Sequence, residues 1–150
     1  MGRNLAVLTK MYYGALTKKL GHLELERYYS IIFFIACSKK PCSQKYIAEH
    51  LLIDKASMVR IMDFLSGQNF IRRETNPMDR REQFIILTEK AKRIVPEIGT
   101  AIKELNNAAM KGIQKKDKAT FYSFLDTICT NLQQQPKNKV TINYKATRNK

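Results

Sequence analysis

Residues 43–88, SQKYIAEHLLIDKASMVRIMDFLSGQNFIRRETNPMDRREQFIILT, read in order as a helix, a turn, a second helix and a basic hairpin. Asp54 is placed to cap the run Lys55 to Gln68 by accepting backbone N–H bonds, and Met58, Ile61, Met62 and Leu65 recur at the three-and-four spacing of one buried helix face. The residues left pointing outward near the start, Lys55, Ala56, Ser57, Val59 and Arg60, are small, hydroxylic or cationic; Asp63 is the acidic exception. Such a surface suits a DNA major groove, where bulk clashes and carboxylates meet phosphates.

The boundaries of this stretch carry their own signals. Asn69 stands where the second helix must stop, and Asn accepts a left-handed conformation more readily than any residue but Gly. Phe70 to Arg73 and Phe84 to Leu87 are β-rich runs around the turn residues Thr75 to Asp79, which predicts a two-stranded wing with Asp79-Arg80-Arg81 just past its turn. Upstream, Ser43 is placed to cap a helix over Gln44 to Leu51 whose Ile47 and Leu51 face inward. Ser43, Gln44 and Lys45 lie at its amino end, where free N–H groups and the positive end of the dipole favour a phosphate. The predicted fold class is therefore mostly α with a small β-wing, a winged helix-turn-helix over residues 43–88.

The segment IDKASMVRIMDFLSGQNFIRRETNPMDRREQFIILTEKAKRIV, residues 53–95, resembles the core of the MarR/SlyA family of bacterial transcriptional regulators. It combines an aspartate-led recognition helix, a Phe-Ile-Arg-Arg first wing strand, an Asp-Arg-Arg wing and a Leu-Thr-Glu-Lys helix start. With the flanking helices the resemblance spans about residues 5–133. Two positions depart from the pattern: Asn69 stands where the family places Gly, and Phe64 where it usually has a polar residue.

The resemblance implies a homodimer on double-stranded DNA at a pseudo-palindromic operator, with the second helix in the major groove and Arg80, after the wing aspartate, in the minor groove. It also implies that Arg60 contacts a base or phosphate. A small aromatic or phenolic effector would sit between dimerisation helices and DNA-binding lobe, and Tyr12, Tyr13, Tyr28, Tyr29, Phe33 and Phe34 are the candidates to line its site. Against this, an aromatic stripe is more often plain core. Arg60 as a solvated helix arginine, and Arg80 and Arg81 as mere counter-charges to Asp79, are the bland alternatives to the DNA roles. Arg81 is expected to pair internally or hold phosphate, and Asp63 with Arg73 to brace helix against wing.

The rest of the chain is consistent with one domain over residues 1–135. Leu5, Leu8, Tyr12, Ala15 and Leu16 mark a helix at about 4–20, and Leu23 to Ser38 reads as a second, unusually apolar helix. After the wing, Thr88 caps a long helix carrying Pro96, and Asp117 opens a last one with Phe121, Phe124, Leu125, Ile128 and Leu132 on one stripe. In the family the first and last helices, here about 4–20 and 89–133, form the dimer. From Pro136 to Lys150 the chain has five basic residues and no acid, and reads as a basic, flexible tail.

Lys and Arg number 27 against 13 Asp and Glu, a formal charge of +14, which favours a polyanionic partner. No apolar run approaches the roughly 20 residues that span a bilayer, and Met-Gly-Arg-Asn-Leu lacks a secretory h-region, so a cytoplasmic protein without a membrane partner is expected. Cys37, Cys42 and Cys129 have no zinc-type spacing. Cys37 and Cys42 flank the turn into the DNA-binding helices, which raises a thiol-based redox-sensing regulator as an alternative; buried inert thiols are the commoner case. His22 and His50 are too separated for a metal site, and no nucleophile or phosphate-loop signature occurs, so no enzyme, metal or cofactor is expected. A winged-helix protein-interaction module, or one that grips nucleic acid by charge alone, is the competing class.

Overall fold

The computed structural model describes residues 1–135. The described residues form six α-helices and a small antiparallel sheet: α1 (Gly2–Leu20), a short 3-10 turn (Gly21–Leu23), α2 (Tyr29–Cys37), β1 (Cys42–Ser43), α3 (Gln44–His50), α4 (Lys55–Gly67), β2 (Ile71–Thr75), β3 (Gln83–Leu87), α5 (Glu89–Ala109) and α6 (Lys115–Gln133). The mostly helical fold with a β-wing is as the sequence predicts. The expectation for 136–150 lies outside the described residues.

Besides the start of α6, which falls at Lys115 rather than at Asp117, two local readings change. The helix expected over Leu23 to Ser38 begins only at Tyr29, because Glu24 and Glu26 take left-handed conformations (φ 54° and 51°) that an α-helix cannot pass through. Between them Leu25 is fully buried, so this connector turns in order to place one apolar side chain. The wing hairpin gains a third strand: β1 pairs with β3 in the order β1-β3-β2, with Cys42 opposite Ile85 and Ser43 opposite Phe84. Two residues of strand are too few to show an alternating pattern in sequence.

The helix caps form as their residue types dictate. Ser43 Oγ accepts from Tyr46 N at 3.2 Å, Asp54 Oδ1 from Ser57 N at 3.0 Å and Thr88 Oγ1 from Ala91 N at 3.3 Å. Asn69, at φ 59°, makes the left-handed stop after α4. The turn between α3 and α4 also uses a left-handed residue, Leu52 at φ 52°, whose side chain is exposed.

The core lies where the helix-turn-helix meets α1, α2 and α5. Met58, Ile61, Met62 and Leu65 of α4 are all buried in one cluster with Ile47, Phe70, Ile71 and Ile85 and with Leu16, Leu20, Leu25, Tyr29, Ile32 and Ile98. Gly99 lets α5 approach α2, since a Cβ there would stand 3.0 Å from the Phe33 ring. α5 runs through Pro96, where Thr100 Oγ1 donates to the Pro96 carbonyl at 2.9 Å. By contrast α6 has no buried residue.

Candidate nucleic-acid interface

The amino ends of α3 and α4 and the wing loop converge on one side of the molecule. Ser43, Gln44, Lys45, Lys55, Arg80 and Arg81 line a groove of about 900 Å³ there, together with Glu49, Asp79 and Glu82. Ser43 is nearly buried and its hydroxyl is engaged as the α3 cap. Lys45 is exposed, with Nζ 3.9 Å from Glu49 Oε1. Such a surface pair is worth little and leaves the cation available to another anion.

Beyond the groove, Ala56, Val59 and Arg60 are exposed on α4, with Ser57 half-buried between them. Arg60 Nη2 donates to Ser57 Oγ at 3.1 Å. The Ser57 hydroxyl, then its N–H, hold the Asp54 carboxyl below the usual carboxylate range. α4 is braced from the side by Arg73, whose Nη2 donates to Asp63 Oδ1 at 2.7 Å, the pairing of helix and wing that the sequence suggested. Phe64 is half-buried, edge-on to Tyr28 with centroids 5.3 Å apart.

The wing tip is ordered by its own side chains. Asn76 is buried, its Oδ1 accepting from Met78 N at 2.9 Å and its Nδ2 donating to Glu82 Oε2 at 2.8 Å. Asp79 Oδ1 accepts from Arg81 N at 2.9 Å, so this carboxylate serves the turn backbone. Arg80 and Arg81 are exposed, and neither is in an ion pair among the described residues. Met78, 92% exposed, leads the tip.

The six candidate aromatic residues take different places in the fold. Tyr29 is core. Tyr12 donates to Asn106 Oδ1 at 2.9 Å, joining α1 to α5, and burial, with Tyr13 and Tyr122 nearby, pushes its phenol up. Phe33 lies against Gly99, and Phe34 against Tyr46 and His50. Tyr13 and Tyr28 share a recess of about 90 Å³, well below the roughly 300 Å³ of small ligand pockets. A larger opening of about 340 Å³, between the end of α2, β1, β3 and α5, has Cys42 in its wall. Cys42 is buried and its Sγ donates to the Lys40 carbonyl at 3.6 Å, whereas Cys37 is exposed; both are free thiols.

Sequence reading missed one contact that finishes the helix-turn-helix. Lys90 of α5 donates to the Gln68 carbonyl at 2.9 Å and stands 4.2 Å over the Phe70 ring, tying the end of α4 to the helix after the wing. Nothing local marks it. Among the described residues no group of three His, Cys, Asp or Glu could hold a metal ion, and no helix is long and apolar enough to cross a membrane.

The MarR family model matches residues 29–83, which run from α2 into β3. Among solved structures the fold is similar to the transcriptional regulator PA3341, at 25% identity and TM-score 0.80 over 89% of this chain and 98% of that one. It is similar to the transcriptional regulator SlyA at 21% identity, TM-score 0.81, 88% of this chain and 93% of that. A putative MarR family regulator from Listeria monocytogenes, complexed with 26mer DNA, matches at 18% identity and TM-score 0.82 over 93% and 98% of the two chains.

Proposed function

We propose, from the premise that this chain carries the MarR family core and the MarR/SlyA fold, that it is a dimeric, sequence-specific DNA-binding transcriptional regulator. The observation that carries the reading is the convergence of Lys45, Lys55, Arg80 and Arg81 on one groove, where neither wing arginine is in an ion pair among the described residues, with Arg60 exposed further along α4. In it α4 enters the major groove, with Arg60 facing base edges and Lys55, Ala56, Ser57 and Val59 around it. Gln44 and Lys45 meet phosphates beside the Ser43 cap, Arg80 enters the flanking minor groove, and Arg81 meets the backbone. The Listeria relative of this fold, solved in complex with 26mer DNA, supports DNA as the partner.

The dimer is supported by apolar side chains that the chain leaves exposed on its terminal helices: Leu5, Val7, Leu8 and Met11 on α1, and Phe121, Tyr122, Phe124 and Leu132 on α6. Residues 1–135 act in this reading as one domain that dimerises through those helices. An effector would act by binding unequally to arrangements of the two DNA-binding lobes, because a ligand shifts only states for which its affinity differs.

Arg60→Ala and Arg80→Ala test the recognition surface. Arg60→Ala relaxes base preference at one position per half-site, losing about 1–3 kcal/mol of discrimination. Arg80→Ala weakens binding most at A·T-rich flanks. If site selection and affinity are unchanged in both variants, the surface is wrong, and a charge-driven binder or protein-interaction module replaces it.

A further inference from the structure

Arg60 does not stand free on α4. Its guanidinium donates to Ser57 Oγ at 3.1 Å, one turn back, and Ser57 N donates to the Asp54 carboxylate at 3.0 Å. A serine hydroxyl has one proton to donate and two lone pairs to accept with. Arg60 thus donates to the Ser57 oxygen, while the backbone N–H of the same residue is fixed on the Asp54 carboxylate. The depressed Asp54 carboxyl agrees, its largest cause being the Ser57 side chain. One turn further along α4, Phe64 packs edge-on to the Tyr28 ring.

We propose that Ser57 is a positioning residue, carrying the fixed orientation of the Asp54 cap to the Arg60 guanidinium so that the helix start sets how Arg60 meets a base edge. The proposal rests on the reading of α4 as the base-reading helix. An unheld arginine gives up rotamer freedom on binding and forks toward neighbouring bases as easily as toward the right one. A guanidinium already aimed loses less freedom and discriminates more.

Ser57→Ala, Ser57→Thr, Arg60→Ala and the double variant Ser57→Ala/Arg60→Ala form the test. Without DNA, nuclear magnetic resonance follows the Asp54 carboxyl titration and the mobility of the Arg60 Nε–H group. Ser57→Ala raises the Asp54 titration and frees Arg60, while Ser57→Thr, which keeps the hydroxyl, preserves both. With the selected operator, Ser57→Ala loses several-fold discrimination at the same base position that Arg60→Ala relaxes, leaves the salt dependence unchanged, and adds nothing in the Arg60→Ala background. Unchanged Arg60 mobility and Asp54 titration in Ser57→Ala overturn the hold. A loss that adds to that of Arg60→Ala shows Ser57 touching DNA directly and overturns its positioning role. If Arg60→Ala alone leaves selection intact, the reading of α4 fails and takes the base-aiming role with it, while the DNA-free measurements still decide whether Ser57 holds Arg60.

Discussion

α4 and α6 are both amphipathic helices, and they end in opposite circumstances. The apolar stripe of α4, Met58, Ile61, Met62 and Leu65, is wholly buried within the chain. α6 has an equally regular stripe and no buried residue, with Phe124 62% and Leu132 49% exposed. The same periodicity thus records two different partners. For α4 the partner is the chain's own core; for α6 the described residues supply none, which is why the dimer is proposed from α6 and α1 rather than from the helix-turn-helix.

The comparison breaks most visibly in the core. Leu65→Ala removes a fully buried side chain from α4 and costs about 2–5 kcal/mol of unfolding free energy, read by denaturant or thermal melts. Phe124→Ala in α6 does the reverse: it leaves secondary structure intact but weakens self-association tenfold or more in sedimentation equilibrium. A melt in which Phe124→Ala destabilises at every protein concentration alike would mean that α6 already has its partner within the chain.

Smaller effects sharpen the account of why α4 is so well defined. Thr88→Ala removes the cap of α5 together with the bond its hydroxyl donates to the Asn69 carbonyl at 2.7 Å, a loss of about 1 kcal/mol. Asn69→Gly, by relieving a left-handed backbone, stabilises by about 0.5–1 kcal/mol. The Asp54 cap gives a pH signature. Its carboxyl is depressed in the folded state, so its contribution is complete above the unfolded carboxylate value and is lost as pH falls below about 4. Asp54→Asn therefore flattens the acid limb of the stability profile and leaves the neutral limb with the same slope.

What was legible in the sequence follows the same division. Ser43, Asp54, Asn69 and Thr88 each act on backbone within three residues, and all four boundaries fall at or next to the predicted positions. The α2 start was not legible: Glu24 and Glu26 adopt left-handed conformations without Gly or Asn to announce them, because burial of Leu25 decides the path. β1 owes its existence to β3, and the Tyr28–Phe64 and Lys90–Phe70 contacts to tertiary packing, so no local pattern marks them. Of the candidate interface, the residue types and their helix face could be read from spacing. The hold of Ser57 on Arg60 is an i, i+3 relation that spacing permits and only coordinates specify.

The most direct test of the central claim is selection of bound duplexes from a random DNA pool at near-physiological salt, followed by sequencing. The account predicts an inverted repeat whose half-sites lie about one helical turn apart, centre to centre. Recovery of DNA without any shared motif would contradict it, and would leave binding by charge alone.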